Sequence, residues 1–270
     1  MLLAFWLETA SQAACEIAAA KNFNIVVFDM EHGVISTSDL DRLVPLCRGL
    51  GLMSYVRVAA AERIEIQHAL DTGTEGVILP QIRDAEHARE AAAFAKFPPL
   101  GSRGMGFGRI QGFSSLTADF AENENKRTQC YAMIETPSAL AEAYAVASLP
   151  TVDGLFVGPG DLSLSCGRGP NRWTSADLSD LRAVATAAAR AGKRFATTGG
   201  DKPVARALGH EVGAAFMTAG DELSALVIGF ETLKERAGQA GYVMHRDYDA
   251  GSGTVATSEA AIETNPKTAF

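Results

Sequence analysis

An eightfold alternation constrains this chain more than any other feature. Short apolar runs are each followed by a longer amphipathic stretch, often rich in alanine. The runs occupy residues 2–7, 24–29, 52–58, 75–81, 129–135, 153–158, 193–197 and 214–219. Helical patterns cover 11–20, 38–50, 61–71, 84–96, 137–148, 175–191, 201–208 and 221–237, with Ser38 read as an N-cap and Pro137 in a first turn. Continuous apolar strands flanked by helices imply a parallel sheet covered on both faces. Eight such units over residues 1–237 predict an α/β fold, a (β/α)8 TIM barrel. An open doubly wound sheet is the alternative, but no glycine-rich nucleotide fingerprint follows the first strand. RGMGFG (103–108) matches a phosphate loop only by pattern. It follows a helix and Pro98-Pro99, and is read as a mobile loop over the site. Residues 238–270 break the alternation and read as a tail, draped over a neighbouring subunit or partly disordered.

Composition narrows the partners. Lysine and arginine total 24 against 32 aspartates and glutamates, a net charge of −8, which argues against nucleic acid. No apolar run reaches about 18 residues, so no membrane span is expected. The N-terminus lacks the basic region of a signal peptide. Four cysteines without a CxxC pair read as buried free thiols in a reducing cytoplasm.

In a barrel, chemistry gathers at the C-terminal ends of the strands. Those ends carry Trp6 and Glu8, then Asp29, Glu31 and His32, then Arg57, Pro80 and Gln81, Glu135, Gly158 to Asp161, Thr197 and Thr218. Charges following apolar runs are costly unless paired. None of the seven lysines ends a strand, which disfavours Schiff-base chemistry. Glu135 and Asp161 form a carboxylate pair suited to a hard divalent cation such as Mg²⁺ or Mn²⁺. Such a cation would be chelated by a 2-oxo acid and would stabilise its enolate. Structural readings stand beside these. His32 could cap a loop, Arg57 could neutralise Asp29 or Glu31, and Glu135 with Asp161 could pair with an arginine.

Five segments then carry a family likeness: FDMEHG (28–33), YVRV (55–58), PPLGSRGMG (98–106), MIET (133–136) and VGPGDLS (157–163). In that order, across roughly residues 2–235, the chain resembles the metal-dependent class II pyruvate aldolases. The type is the 4-hydroxy-2-oxoheptanedioate and 2-dehydro-3-deoxyglucarate aldolases of the aldolase/citrate lyase superfamily. The resemblance implies cleavage of a 4-hydroxy-2-oxo acid to pyruvate and an aldehyde, with Mg²⁺, Mn²⁺ or Co²⁺ as cofactor. Related enolate chemistry, oxaloacetate decarboxylation or thioester cleavage, is the alternative. It implies Glu135 and Asp161 as metal ligands, and His32 as acid/base with a water on the metal, oriented by Asp29. Arg57 would sit beside the ketone oxygen, and Gly160 and Asp161 would offer backbone N–H groups to the pyruvate carboxylate. Gln81 and Trp6 complete the expected substrate-binding set. A hexamer, a trimer of dimers, is implied too. Two departures stand out: Met133 replaces a glutamine common in the family, and the usual Gly-Pro-Ala-Asp is Gly-Pro-Gly-Asp.

Overall fold

A computed structural model describes residues 1–239, together with the backbone of 247–249 and 254–256. Eight parallel strands close into a barrel in sequence order. They are β1 (Leu2–Leu7), β2 (Ile25–Asp29), β3 (Met53–Arg57), β4 (Gly76–Leu79), β5 (Gln129–Ile134), β6 (Gly154–Val157), β7 (Arg194–Thr198) and β8 (Phe216–Asp221). Closure comes from β1 pairing with β8, with a register shift between Ala4 and Trp6. The predicted barrel is the observed one.

The helices are α1 (Gln12–Ala20), α2 (Thr37–Gly49), α3 (Arg63–Asp71), α4 (Ala85–Ala93), α5 (Phe120–Arg127), α6 (Pro137–Ala141), α7 (Ala143–Ala147), α8 (Pro159–Ser165), α9 (Ser175–Arg190), α10 (Pro203–Glu211) and α11 (Glu222–Gln239). Met1–Ser224 forms one compact unit. Ala225–Phe270 forms a second, which holds most of α11 and a two-stranded antiparallel ribbon of Asp247–Asp249 with Thr254–Ala256. The expected tail, 238–270, otherwise lies outside the described residues.

Strand side chains alternate between two cores. Ile25, Val27, Tyr55, Ile78, Tyr131 and Phe156 point into the barrel, while Val26, Phe28, Val56 and Val77 pack under the helices. Tyr55, Tyr131 and Phe216 stack edge-on or tilted, with centroids 5.3–5.9 Å apart, and fill the barrel as a plug. Period two then brings Asp29, Arg57 and Glu135 to the next inward layer, at the open C-terminal mouth.

Several local expectations shift. The cap of α2 is Ser36, not Ser38, because Ser36 and Asp39 form a reciprocal capping box. The expected helix over 137–148 breaks at Glu142 into α6 and α7. The loop around 98–113 belongs to the α4–β5 connection, which leaves the barrel at the opposite end from the catalytic mouth. It is tied down there. Arg103 is buried, donates to Asp71 at 2.8 Å and lies over the Phe97 ring, while Arg109 bonds Asp41 at 2.7 Å. Within this chain it is therefore anchored away from the site. Cys15, Cys47 and Cys130 are buried free thiols as expected, but Cys166 is half-buried.

Candidate active site

Strand register builds the centre of the site. Asp29 and Arg57 are paired neighbours at the ends of β2 and β3. Arg57 grips Asp29 with both arms of its fork, Nε to Oδ1 at 2.9 Å and Nη2 to Oδ2 at 2.5 Å. Asp29 also accepts the Trp6 indole N–H at 3.1 Å and the backbone N–H groups of Glu31 and His32 at 3.0 and 3.3 Å. Burial works against the Asp29 charge, but the Arg57 hydrogen bond and charge hold its carboxyl below the usual range. The Arg57 guanidinium also lies 4.8 Å from the Trp6 ring centroid.

Glu135, the residue after β5, is buried. Its Oε1 accepts the backbone N–H of Gln81 at 2.5 Å. Gln81 reaches it by a left-handed backbone, φ 52°, a conformation stored more often at functional sites than elsewhere. Its side chain is exposed, so its bond in the site comes from the main chain. Glu135 Oε2 is buried with no hydrogen-bond partner among the described residues. Burial, above all, pushes the Glu135 carboxyl up to about 7. The Gln81 bond opposes this, and the charges of Glu31 and Asp161 add to it.

Gly158, after β6, explains how that oxygen stays open. A Cβ there would stand 2.6 Å from both Glu135 Oε2 and the Met133 methyl. Glycine is therefore required by close approach at 158, whereas a Cβ at Gly160 would meet nothing within this chain. Asp161 sits in the first turn of α8, half-buried, and Met133 lies inside the barrel.

Two acids emerge that sequence reasoning left without roles. Glu31 Oε2 lies 3.1 Å from Arg57 Nη1, yet its alignment makes no hydrogen bond. Burial raises its carboxyl pKa. Glu222, at the start of α11, accepts the N–H groups of Glu8 and Thr9 at 2.5–3.0 Å and so fixes the loop after β1. Glu31 was visible between Asp29 and His32, but Glu222 looked like an ordinary acidic first turn. His32 is exposed. Asp29 meets its backbone rather than its ring, because both Asp29 oxygens are already committed.

The cluster thus holds Asp29, Glu31, Glu135 and Asp161 against one guanidinium. Among the described residues no group of three or more His, Cys, Asp or Glu is arranged to hold an ion. A two-carboxylate centre fits what is present, because Mg²⁺-like cations keep waters and take substrate oxygens as further ligands. The orphaned Glu135 oxygen and the open cradle at Gly158 fit such a cation.

The family model described as HpcH/HpaI aldolase/citrate lyase matches residues 2–208. The chain belongs to that family. The chain is similar to a 2-dehydro-3,6-dideoxy-6-sulfogluconate aldolase of Pseudomonas putida, 36% identical over 165 residues, 61% of this chain and just under two thirds (65%) of that one. A 4-hydroxy-2-oxo-heptane-1,7-dioate aldolase of Salmonella paratyphi C is 25% identical over 238 residues, 87% of this chain and 90% of the other. The crystal structure of an HpcH/HpaI aldolase from Desulfitobacterium hafniense DCB-2 superposes with a TM-score of 0.81 at 24% identity, covering 87% of this chain and 92% of that one. The aldolase/citrate lyase fold is thereby matched across nearly the whole barrel.

Proposed function

We propose that this HpcH/HpaI-family protein is a divalent-metal-dependent aldolase, reversibly cleaving a 4-hydroxy-2-oxo acid to pyruvate and an aldehyde. The observation that carries the reading is Glu135 Oε2, buried and without a hydrogen-bond partner among the described residues, beside the further carboxylates of Glu31 and Asp161. Buried charges without partners persist mainly where a cation or a reaction uses them. Glu135 and Asp161 would hold Mg²⁺, Mn²⁺ or Co²⁺. The cation would supply Lewis acidity toward the ketone and carboxylate oxygens of a 2-oxo acid.

The chain's own residues then divide the work. Arg57, clamped by Asp29, presents its positive charge where the ketone oxygen becomes an enolate oxygen. His32 takes the proton of the 4-hydroxyl. The C3–C4 bond breaks, its electron pair becomes the C2–C3 double bond, and the aldehyde leaves. Return of a proton to C3 gives pyruvate. The backbone N–H groups of Gly160 and Asp161 receive the substrate carboxylate, and the buried wall of Trp6 and Met133 excludes water. The catalytic barrel is assigned to residues 1–237, with 238–270 as a C-terminal tail. Exposed apolar side chains, among them Val34, Phe107 and Phe113, support a homo-oligomer, proposed as a hexamer. Buried thiols fit a reducing cytoplasm, and no helix of the described residues is long and apolar enough to cross a membrane.

Decarboxylation of oxaloacetate would give the same enolate, so one assay set separates the two. Purified protein with each metal is offered pyruvate plus a panel of aldehydes, and separately oxaloacetate. The proposal expects aldol products, with metal required. Oxaloacetate turnover without any aldol product would replace it with the decarboxylase reading.

A further inference from the structure

The loop after β1 is held by a carboxylate from the other end of the barrel sequence. Pairing of β1 with β8 runs as far as Trp6 with Asp221, and β8 then turns into α11. The backbone N–H groups of Glu8 and Thr9 therefore leave the ladder and need another partner. Glu222, the first residue of α11 and only 5% exposed, supplies it. Its Oε1 accepts from Glu8 at 2.7 Å and from Thr9 at 2.5 Å, and its Oε2 accepts from Glu8 at 3.0 Å. Charge-assisted bonds of this kind are stronger than neutral ones. The same stretch is held from its other side. The Glu8 carbonyl accepts the Val34 N–H at 2.8 Å. Gly33 packs so closely there that a Cβ would stand 2.6 Å from the Glu8 carbonyl oxygen. The Glu8 carbonyl and the Thr9 N–H belong to one planar peptide. Glu222 grips one edge of that plane, and the loop after β2 grips the other.

Resting on the aldolase reading, we infer that Glu222 is a positioning residue for the loop after β2, residues 30–36, acting through the Glu8–Thr9 peptide. His32 sits one residue before Gly33 in that loop. A planar peptide resists twisting, so a shift of its N–H edge moves its carbonyl edge as well. Without the Glu222 carboxylate both N–H groups lose their partner, the plane turns toward water, and the Val34 bond opens with it. The loop then samples positions in which His32 stands away from the substrate, and small misplacements of a reacting group are costly in rate. Glu222 itself touches no reacting atom. Glu135 is anchored separately, by the backbone of Gln81.

Amide hydrogen exchange reads this relay and needs neither cation nor turnover. In the wild type the Glu8, Thr9 and Val34 amides should be protected together, with exchange rates within about tenfold of one another. In Glu222→Ala all three should exchange at least about tenfold faster, while β5 (Gln129–Ile134) should stay within about twofold of wild type. With Mn²⁺ and 4-hydroxy-2-oxovalerate as probe, kcat should fall about 10- to 100-fold and KM stay within about threefold. Calorimetric Mn²⁺ affinity should also hold within about threefold. Glu222→Gln, which keeps an oxygen acceptor for Thr9, should lose less protection and less rate. A Val34 amide unprotected in the wild type overturns the inference, and it decides the matter even if neither variant folds. Glu222→Ala that frees Glu8 and Thr9 but leaves Val34 protected overturns it as well. Equal acceleration in β5 overturns it by reducing Glu222 to a general staple, and an unchanged kcat with Val34 open removes the positioning role. Joint protection and joint release in a protein that cleaves no 4-hydroxy-2-oxo acid would leave the relay standing and sink the aldolase reading instead.

Discussion

Glu135 is where the energetics of this protein concentrate. Its carboxyl is raised from an ordinary 4.5 to about 7, chiefly by burial. A carboxyl raised on folding stabilises the fold fully below its unfolded pKa, and that contribution is lost as pH rises through the folded one. The cation-free protein should therefore weaken between about pH 4.5 and 7, by on the order of 3 kcal/mol. Glu135→Gln keeps the acceptor for Gln81 and removes the charge. At pH 8 without metal it should melt several degrees above wild type, and at pH 4 the two should coincide; thermal unfolding at both pH values checks this. Ligation requires the ionised form, so Mn²⁺ affinity measured by calorimetry should fall about tenfold from pH 8 to pH 6, with proton release on binding. Glu135 itself was legible from its place after an apolar strand. Its anchor was not, because the donor is a backbone N–H of Gln81, and no residue pattern records a left-handed main chain.

The strands were legible because their central residues are buried on both faces, most fully in β2, β4 and β6, and so read as apolar runs. α5 was not, because its sequence, FAENENKR, carries no apolar stripe. It is held instead by Glu124, which pairs with Arg127 at 2.6 Å and lies 3.8 Å from Arg103. Helix boundaries turned on local chemistry that two nearby serines offered equally, and Asp39 decided for Ser36. The turn from β6 into α8 makes the sharpest element-scale prediction. Gly158→Ala should cut Mn²⁺ affinity by tenfold or more, roughly, and cost about 1–3 kcal/mol in urea unfolding, because its methyl would enter the space beside Glu135 Oε2. Gly160→Ala, two residues on, should fold with wild-type stability to within about 0.5 kcal/mol.

At the scale of the whole molecule, the parallel barrel gathers carboxylates from β2, β5 and the start of α8 around one arginine from β3, leaving an excess of buried negative charge. A plug of aromatic rings seals the barrel beneath that layer, so the cluster opens only at the mouth. The central claim is that this imbalance exists to hold a divalent cation that makes an enolate of a 2-oxo acid. Exchange of the pyruvate methyl protons with solvent deuterium tests it without knowing the aldehyde. The account predicts exchange that requires Mg²⁺, Mn²⁺ or Co²⁺, stops on chelation, and is lost in Glu135→Gln. Exchange that survived chelation, or proceeded at the wild-type rate in Glu135→Gln, would contradict it.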